Sequence, residues 1–197
     1  MTAETSNESA LLQSYWLLGD FVLLLAVVVL VLRNMKKGGG PLSRRDQITM
    51  TTGEIENFLQ RRQTVSLASI DTKGKIHLVA MWYGFYEGQI AMWTYGKSQK
   101  IMNLRSNPNV TMLIEDGDRY EELRGVEIVG VGRIVEDRPT IEAIGSSIFD
   151  RYVSPDIDGD VAVLREGFVK SAQKRLGIVV EVEKIVSWDH RKLQGVY

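Results

Sequence analysis

Residues 64–95 read TVSLASIDTKGKIHLVAMWYGFYEGQIAMWTY, and the spacing of apolar side chains in this stretch decides the fold. The run "TVSLASI" alternates apolar and small polar residues, the pattern of a half-buried strand. "DTKGK" follows as a turn, with Gly74 supplying the permissive backbone. "IHLVAMWYGF" predicts a second strand, Glu87 and Gly88 a tight turn, and "QIAMWTY" a third strand. The hairpin signal thus occurs twice within about thirty residues, which argues for antiparallel rather than parallel pairing.

Upstream, "TTGE" (51–54) has the capping-box pattern, and Ile55, Phe58 and Leu59 follow at helical spacing, so a short amphipathic helix is expected to end near Arg62. Downstream, "TYGKSQKIMNLRSNP" (94–108) predicts a helix that starts at Ser98 and is stopped by Pro108. "NVTMLIE" predicts a fourth strand, the polar "DGDRYEEL" an interruption, and "RGVEIVGVGRIVED" a long fifth strand with glycines suited to bending. A helix opening at Pro139 keeps Ile141, Ile144, Ile148 and Phe149 near one face. After the loop "SPDIDGD", "VAVLREGFVKSA" predicts a short helix and "RLGIVVEVEKIVSWD" the last strand. The expected class is mainly β (α+β), a closed or partly closed antiparallel barrel flanked by short helices.

Bulk properties exclude several chemistries. The chain has 197 residues, a formal net charge of -1 and a pI near 6.2, so no global field recruits nucleic acid, and no binding motif of that kind is present. It has no cysteine, which removes disulfides, thiolate metal sites and thiol nucleophiles. His77 and His190 are the only histidines, too few for a histidine-rich metal cluster. The adjacent Asp189, His190 and Arg191 do not make a catalytic triad, because neighbouring residues on a strand point to alternate faces. The acidic run holding Glu121 and Glu122 lacks calcium-loop spacing and is expected to be a solvated loop.

Residues 1–49 stand apart from the expected domain at 50–197. "LLQSYWLLGDFVLLLAVVVLVL" (11–32) would span about 33 Å as a helix, enough for a bilayer core. Its Leu, Val and Phe residues favour insertion by roughly 4 to 9 kcal/mol, against about 3 kcal/mol for Asp20. Glu4 and Glu8 precede this run, while Arg33, Lys36, Lys37, Arg44 and Arg45 follow it. A single N-terminal transmembrane anchor is therefore expected, with the domain on the cytoplasmic face of the membrane and "KKGGGPLSRRDQ" as a flexible linker. A product starting at Met35 or Met50 would instead be cytoplasmic.

The start of the helix after Tyr95 raises a chemical question. The first amides of a helix lack internal partners, and the positive end of the helix dipole points the same way. Ser98 offers a hydroxyl, Lys100 a positive charge in the first turn, and Thr94 a second hydroxyl from the strand end. A lysine is unfavourable at that end unless an anion compensates it. From these residues alone, a phosphate site and a plain serine cap beside a solvated lysine both stand.

The run from Thr64 to Asp116 resembles the pyridoxamine 5'-phosphate oxidase-like split β-barrel family of flavin and deazaflavin proteins. "YEELRGVEIVGVGRIVED" and the terminal "VSWDHRKL" resemble its branch of coenzyme F420-dependent enzymes. The resemblance covers Met50 to Tyr197. It implies an FMN-binding-like split β-barrel in which Thr94, Ser98 and Lys100 grip the cofactor phosphate. The strand around Val79, Ala80, Met81 and Trp82 would lie along the ring system. It also implies a homodimer with cofactor sites in the groove between subunits, which would account for an apolar-aromatic stripe of Met81, Trp82, Met92 and Trp93.

The chain departs from the FMN oxidases of that family at three positions. Leu78 and Tyr83 stand where those enzymes carry an arginine and a lysine, and Gln99 stands where arginine is usual. Each missing charge-assisted bond is worth roughly 1.5 to 3 kcal/mol. The resemblance therefore favours coenzyme F420, whose anionic tail could use Arg62, Arg105 or Arg124, with FMN as the alternative. The expected activity is hydride transfer to a small conjugated acceptor, near Trp82 and Tyr83; Tyr83, Tyr95 and His77 are the available proton donors. An FMN-dependent oxidase or reductase, or a non-enzymatic carrier of a flavin or tetrapyrrole, remains the alternative.

Overall fold

The fold comes from a computed structural model that describes residues 43–61, 63–156 and 160–193. The expected membrane segment at 11–32, most of the linker before the domain, and Arg62 lie outside the described residues. No helix among the described residues is long and apolar enough to cross a membrane.

Seven strands form one antiparallel sheet. They are β1 (Val65–Ile70), β2 (Ile76–Met81), β3 (Gly84–Tyr86), β4 (Gln89–Tyr95), β5 (Asn109–Asp116), β6 (Arg124–Val135) and β7 (Arg175–Asp189). Their order across the sheet is β2-β1-β5-β6-β7-β4-β3. The helices are α1 (Arg44–Ile48), α2 (Thr52–Leu59), α3 (Gln99–Ser106), α4 (Arg138–Tyr152) and α5 (Val161–Lys170). A mainly β architecture with short flanking helices matches the expectation, and it fits a split β-barrel.

Two elements differ from the sequence reading. The segment expected to be linker up to Gln47 contains α1, because Ser43 and Asp46 form a reciprocal cap: the Asp46 amide donates to Ser43 Oγ and the Ser43 amide to Asp46. "IHLVAMWYGF" is two strands rather than one, because β2 and β3 lie on opposite edges of the sheet. Trp82 and Tyr83 alone carry the chain from one edge to the other. They stand at the seam of the split barrel.

Alternation places the core. Val65, Leu67 and Ser69 on β1 face Met81, Val79 and His77 on β2, and the same side of β5 presents Val110, Met112 and Ile114. Val65, Leu67, Val110, Met112 and Ile114, with Met81, Met92, Ile128 and Val180, fill the barrel interior, which α2 and α3 close with Phe58, Leu59, Ile101 and Leu104. A second apolar layer lies outside β4 and β7, where Trp93, Ala91 and Val179 pack under Ile141, Ile144 and Ile148 of α4. The long β6 follows the curvature through a bulge between Val129 and Gly130. Gly130 is required there, since a Cβ would come within 2.2 Å of the Glu181 carbonyl oxygen. Glu87 (φ 48) and Gly88 (φ 72) close the β3–β4 hairpin in the left-handed conformation such turns need.

Polar bonds hold the seam shut. Tyr83 is fully buried and its hydroxyl donates to the Leu59 carbonyl at 2.8 Å. Arg151 of α4 donates to the carbonyls of Leu59 and Arg61 and to Tyr83 Oη, with its guanidinium 4.3 Å from the Tyr83 ring centroid. Tyr152 Oη donates to the Gln63 carbonyl. One arginine thus caps the C-terminal end of α2 and joins it to α4 across the seam. At the other end of α2, Glu54 accepts from the Thr51 amide at 2.6 Å and from Lys192 Nζ at 2.7 Å.

Candidate anion-binding site at the start of α3

Thr94 is the penultimate residue of β4, on the barrel side, and three residues after the strand ends at Tyr95 comes Ser98, the N-cap of α3. The three residues singled out in the sequence converge. Lys100 Nζ donates to Thr94 Oγ1 at 3.0 Å, and Thr94 Oγ1 donates to Ser98 Oγ at 3.3 Å. Ser98 has the extended backbone of a cap (φ -71, ψ 152), yet its hydroxyl makes no capping bond to the helix. The amides of Gln99 and Lys100 are left without intrahelical partners.

The electrostatics are those of an unfilled cation. Lys100 is half-buried, and desolvation lowers its pKa below the ordinary lysine value of 10.5. No acidic side chain among the described residues pairs with it. Other arginines suggested by the sequence are engaged elsewhere: Arg105 pairs with Glu136 at 3.2 Å, and Arg124 with Asp116 at 2.5 Å. A half-buried ammonium, two hydroxyls and two open amides fit one tetrahedral oxyanion such as a phosphate monoester or diester.

The site is anchored by residues that the sequence reading did not assign to it. Gln99 Nε2 donates to Asn103 Oδ1 at 2.7 Å, and the buried Asn103 donates to Ser69 Oγ on β1 at 3.0 Å. This chain fixes the first turn of α3 against the barrel. Its only sequence signal is an asparagine on the inward face of a short helix, one turn after Gln99. His77 lies opposite Ser69 across the β1–β2 pair, and its Nδ1 is buried without a hydrogen-bond partner.

The other predicted residues separate. Val79 and Met81 turn toward the barrel interior, whereas Ala80 and Trp82 are exposed on the outer face with Ile76 and Leu78. β2 is an edge strand, so one row of its amides and carbonyls is free of sheet partners. Met81, Trp82, Met92 and Trp93 do not form the single stripe expected. Strand alternation sends Met92 into the barrel and Trp93 under α4. Tyr83 cannot border an acceptor or give up its proton readily, since it is buried in the core and burial pushes its pKa well above the ordinary phenol range. Tyr95 is exposed beneath Arg175 on the outer side of β4.

The remaining polar clusters are structural. Asp189 accepts a two-pronged ion pair from Arg191, which lowers its pKa, while His190 Nδ1 lies 2.9 Å from the Tyr120 carbonyl. Glu121 and Glu122 hold Arg119. No group of acidic and histidine side chains among the described residues could hold a metal ion.

Solved structures share this fold. No curated protein matches the chain. A solved structure of a conserved hypothetical protein from Mycobacterium tuberculosis is 38% identical, with a TM-score of 0.70, over 79% of this chain and 95% of that one. An F420 reductase is 26% identical, with a TM-score of 0.50, over 66% of this chain and 94% of that one. A heme storage protein from Vibrio cholerae shares the fold at 16% identity and a TM-score of 0.52, over 68% of this chain and 93% of that one. The family model described as "Pyridoxamine 5'-phosphate oxidase" matches residues 51–189, from the cap of α2 to the end of β7. On these grounds the chain belongs to the pyridoxamine 5'-phosphate oxidase family of split β-barrels.

Proposed function

We propose that the chain is an oxidoreductase that binds coenzyme F420, with the coenzyme phosphate at Thr94, Ser98 and Lys100. The observation that carries this reading is Lys100, a half-buried cation at a helix start with no acidic side chain beside it among the described residues. Support for the deazaflavin comes from the 26% identical F420 reductase and from the absence of charge at Leu78, Tyr83 and Gln99. Leu78 is exposed and apolar, Tyr83 is buried, and Gln99 is bonded to Asn103, so none of the three offers charge to a second phosphate oxygen. FMN in the same notch is the second reading, favoured by the flavin-binding character of the family.

The chain's own groups have distinct tasks in this account. Lys100 Nζ, the two hydroxyls and the α3 amides hold the anionic end. The free edge of β2 from Val79 to Met81, with Trp82 just beyond it, offers backbone donors and acceptors to the ring. When bound, the cofactor supplies a hydride to a conjugated acceptor, and the balancing proton comes from solvent. Titrating the protein with F420 and with FMN separates the two readings. Hydride transfer to a quinone or nitro compound separates both from a non-enzymatic carrier.

Cofactor affinity should depend on pH with a definite sign. A bound phosphate favours protonated Lys100, so affinity is full below the lysine's lowered pKa and declines above it. The dissociation constant of F420 is expected to rise as the pH climbs through the lysine's lowered pKa, below the ordinary 10.5, and Lys100→Arg should flatten that rise. A flat profile in the unaltered protein would remove Lys100 from the site.

We also propose a homodimer, as the family resemblance implies, in which a second copy covers the strip of Ile76 and Leu78 on β2 and stops short of Trp82. Ile76 is 72% exposed and Leu78 65%, and this apolar strip continues an edge strand, a feature that unpartnered proteins seldom leave bare. Leu78→Asp should convert a dimer to a monomer in light scattering after size exclusion. A monomeric unaltered protein would contradict the assignment.

A further inference from the structure

Trp82 occupies an unusual position. It is one of the two residues that cross the barrel seam, and its indole is 47% exposed. The ring lies flat on Tyr152, with centroids 4.8 Å apart and an interplanar angle of 2°. Tyr152 is itself fixed: it is buried, it donates to the Gln63 carbonyl, and it accepts from the Tyr83 amide at 3.4 Å. Arg151, locked in the seam, lies 5.6 Å from the centroid of the Tyr152 ring. One surface of the indole therefore rests on a rigid support, and part of Trp82 remains open to solvent.

Trp82 directly follows Met81, the last residue of β2. Trp82 lies five positions after His77, which is opposite the Ser69 anchor of α3, or about 16 Å along extended chain. A ring lying along Val79 to Met81 would therefore have Trp82 just beyond one of its ends.

We infer that the Trp82–Tyr152 pair is a stacking shelf that selects planar, electron-poor conjugated acceptors, with Trp82 as the specificity-determining residue. The electron-rich face of an indole attracts such rings through quadrupole complementarity and dispersion. A shelf already immobilised by Tyr152 loses little side-chain entropy on binding. The substrate role rests on the cofactor reading given above, but the shelf itself can be tested without any cofactor.

The probe is menadione, titrated calorimetrically into the full chain without cofactor and into Trp82→Leu and Trp82→Phe. Trp82→Leu should weaken binding roughly tenfold, and Trp82→Phe, which keeps an aromatic face, should recover most of the loss. Equal affinity in all three proteins, or no binding to the unaltered one, overturns the proposal. So does conversion to monomer by Trp82→Leu, since the indole would then be covered by a second copy. F420 binding to the same three proteins is read separately. Its absence would remove the cofactor reading and leave the menadione result to decide the shelf.

Discussion

Lys100→Ala is expected to weaken F420 binding by well over tenfold. The lost interaction is a charge-assisted contact worth roughly 1.5 to 3 kcal/mol, or about 10- to 150-fold in affinity. Stability should not fall with it. Lys100 contributes one hydrogen bond, to Thr94 Oγ1, and its ammonium is partly desolvated with no counter-charge. Removing a cation from such a place relieves a cost of folding. Thermal unfolding should therefore show an equal or higher midpoint while calorimetry shows the affinity loss. An unchanged dissociation constant would reject the notch. A collapsed midpoint would mean that Lys100 serves the fold instead.

Arg151→Leu should have the largest effect on stability. The substitution leaves the Leu59 and Arg61 carbonyls and the Tyr83 hydroxyl without their shared donor at the end of α2. The Leu59 carbonyl keeps the Tyr83 hydroxyl and the Arg61 carbonyl keeps the Gln63 amide. What is lost is therefore three bonds from a charged donor, at about 1.5 to 3 kcal/mol for a buried one and less for the exposed one, a total of about 3 kcal/mol after relaxation. In a domain of this size that corresponds to a midpoint lowered by roughly 10 °C in scanning calorimetry. Arg151→Lys keeps the charge but cannot reach three acceptors at once, and should recover only part of the loss. A midpoint unchanged by Arg151→Leu would show that the seam is held by its apolar packing alone.

The contrast between these two cations follows what could be read from the sequence. Lys100 was legible because its setting is local: Thr94, Ser98 and Lys100 fall within one strand-to-helix turn. The strands were legible for the same reason, since alternation in "TVSLASI" and "NVTMLIE" is written residue by residue. Arg151 was not legible. Its partners Leu59, Arg61 and Tyr83 lie 68 to 92 residues away, and only the curling of the sheet brings them together.

The same long-range effect explains the break between β2 and β3. Trp82 and Tyr83 have strong strand propensity and carry no turn signal, so the local pattern predicts one continuous strand. Closing the barrel overrides it, because the two residues must pass from one sheet edge to the other. The supposed stripe of Met81, Trp82, Met92 and Trp93 fails on that geometry: adjacent residues of a strand face opposite layers, and only the topology says that both layers are filled. The anchor formed by Asn103 and Ser69 joins a helix to a strand about thirty residues earlier, a pairing that no spacing rule supplies.

The central claim is that the anionic end of a redox cofactor sits where β4 runs into α3. Its most direct test is a crystal structure of the protein grown with F420. The expected result is phosphate density with oxygens about 2.7 to 3.2 Å from Lys100 Nζ and from Ser98 Oγ. Ordered F420 bound elsewhere, with its phosphate away from Thr94, Ser98 and Lys100, would contradict it.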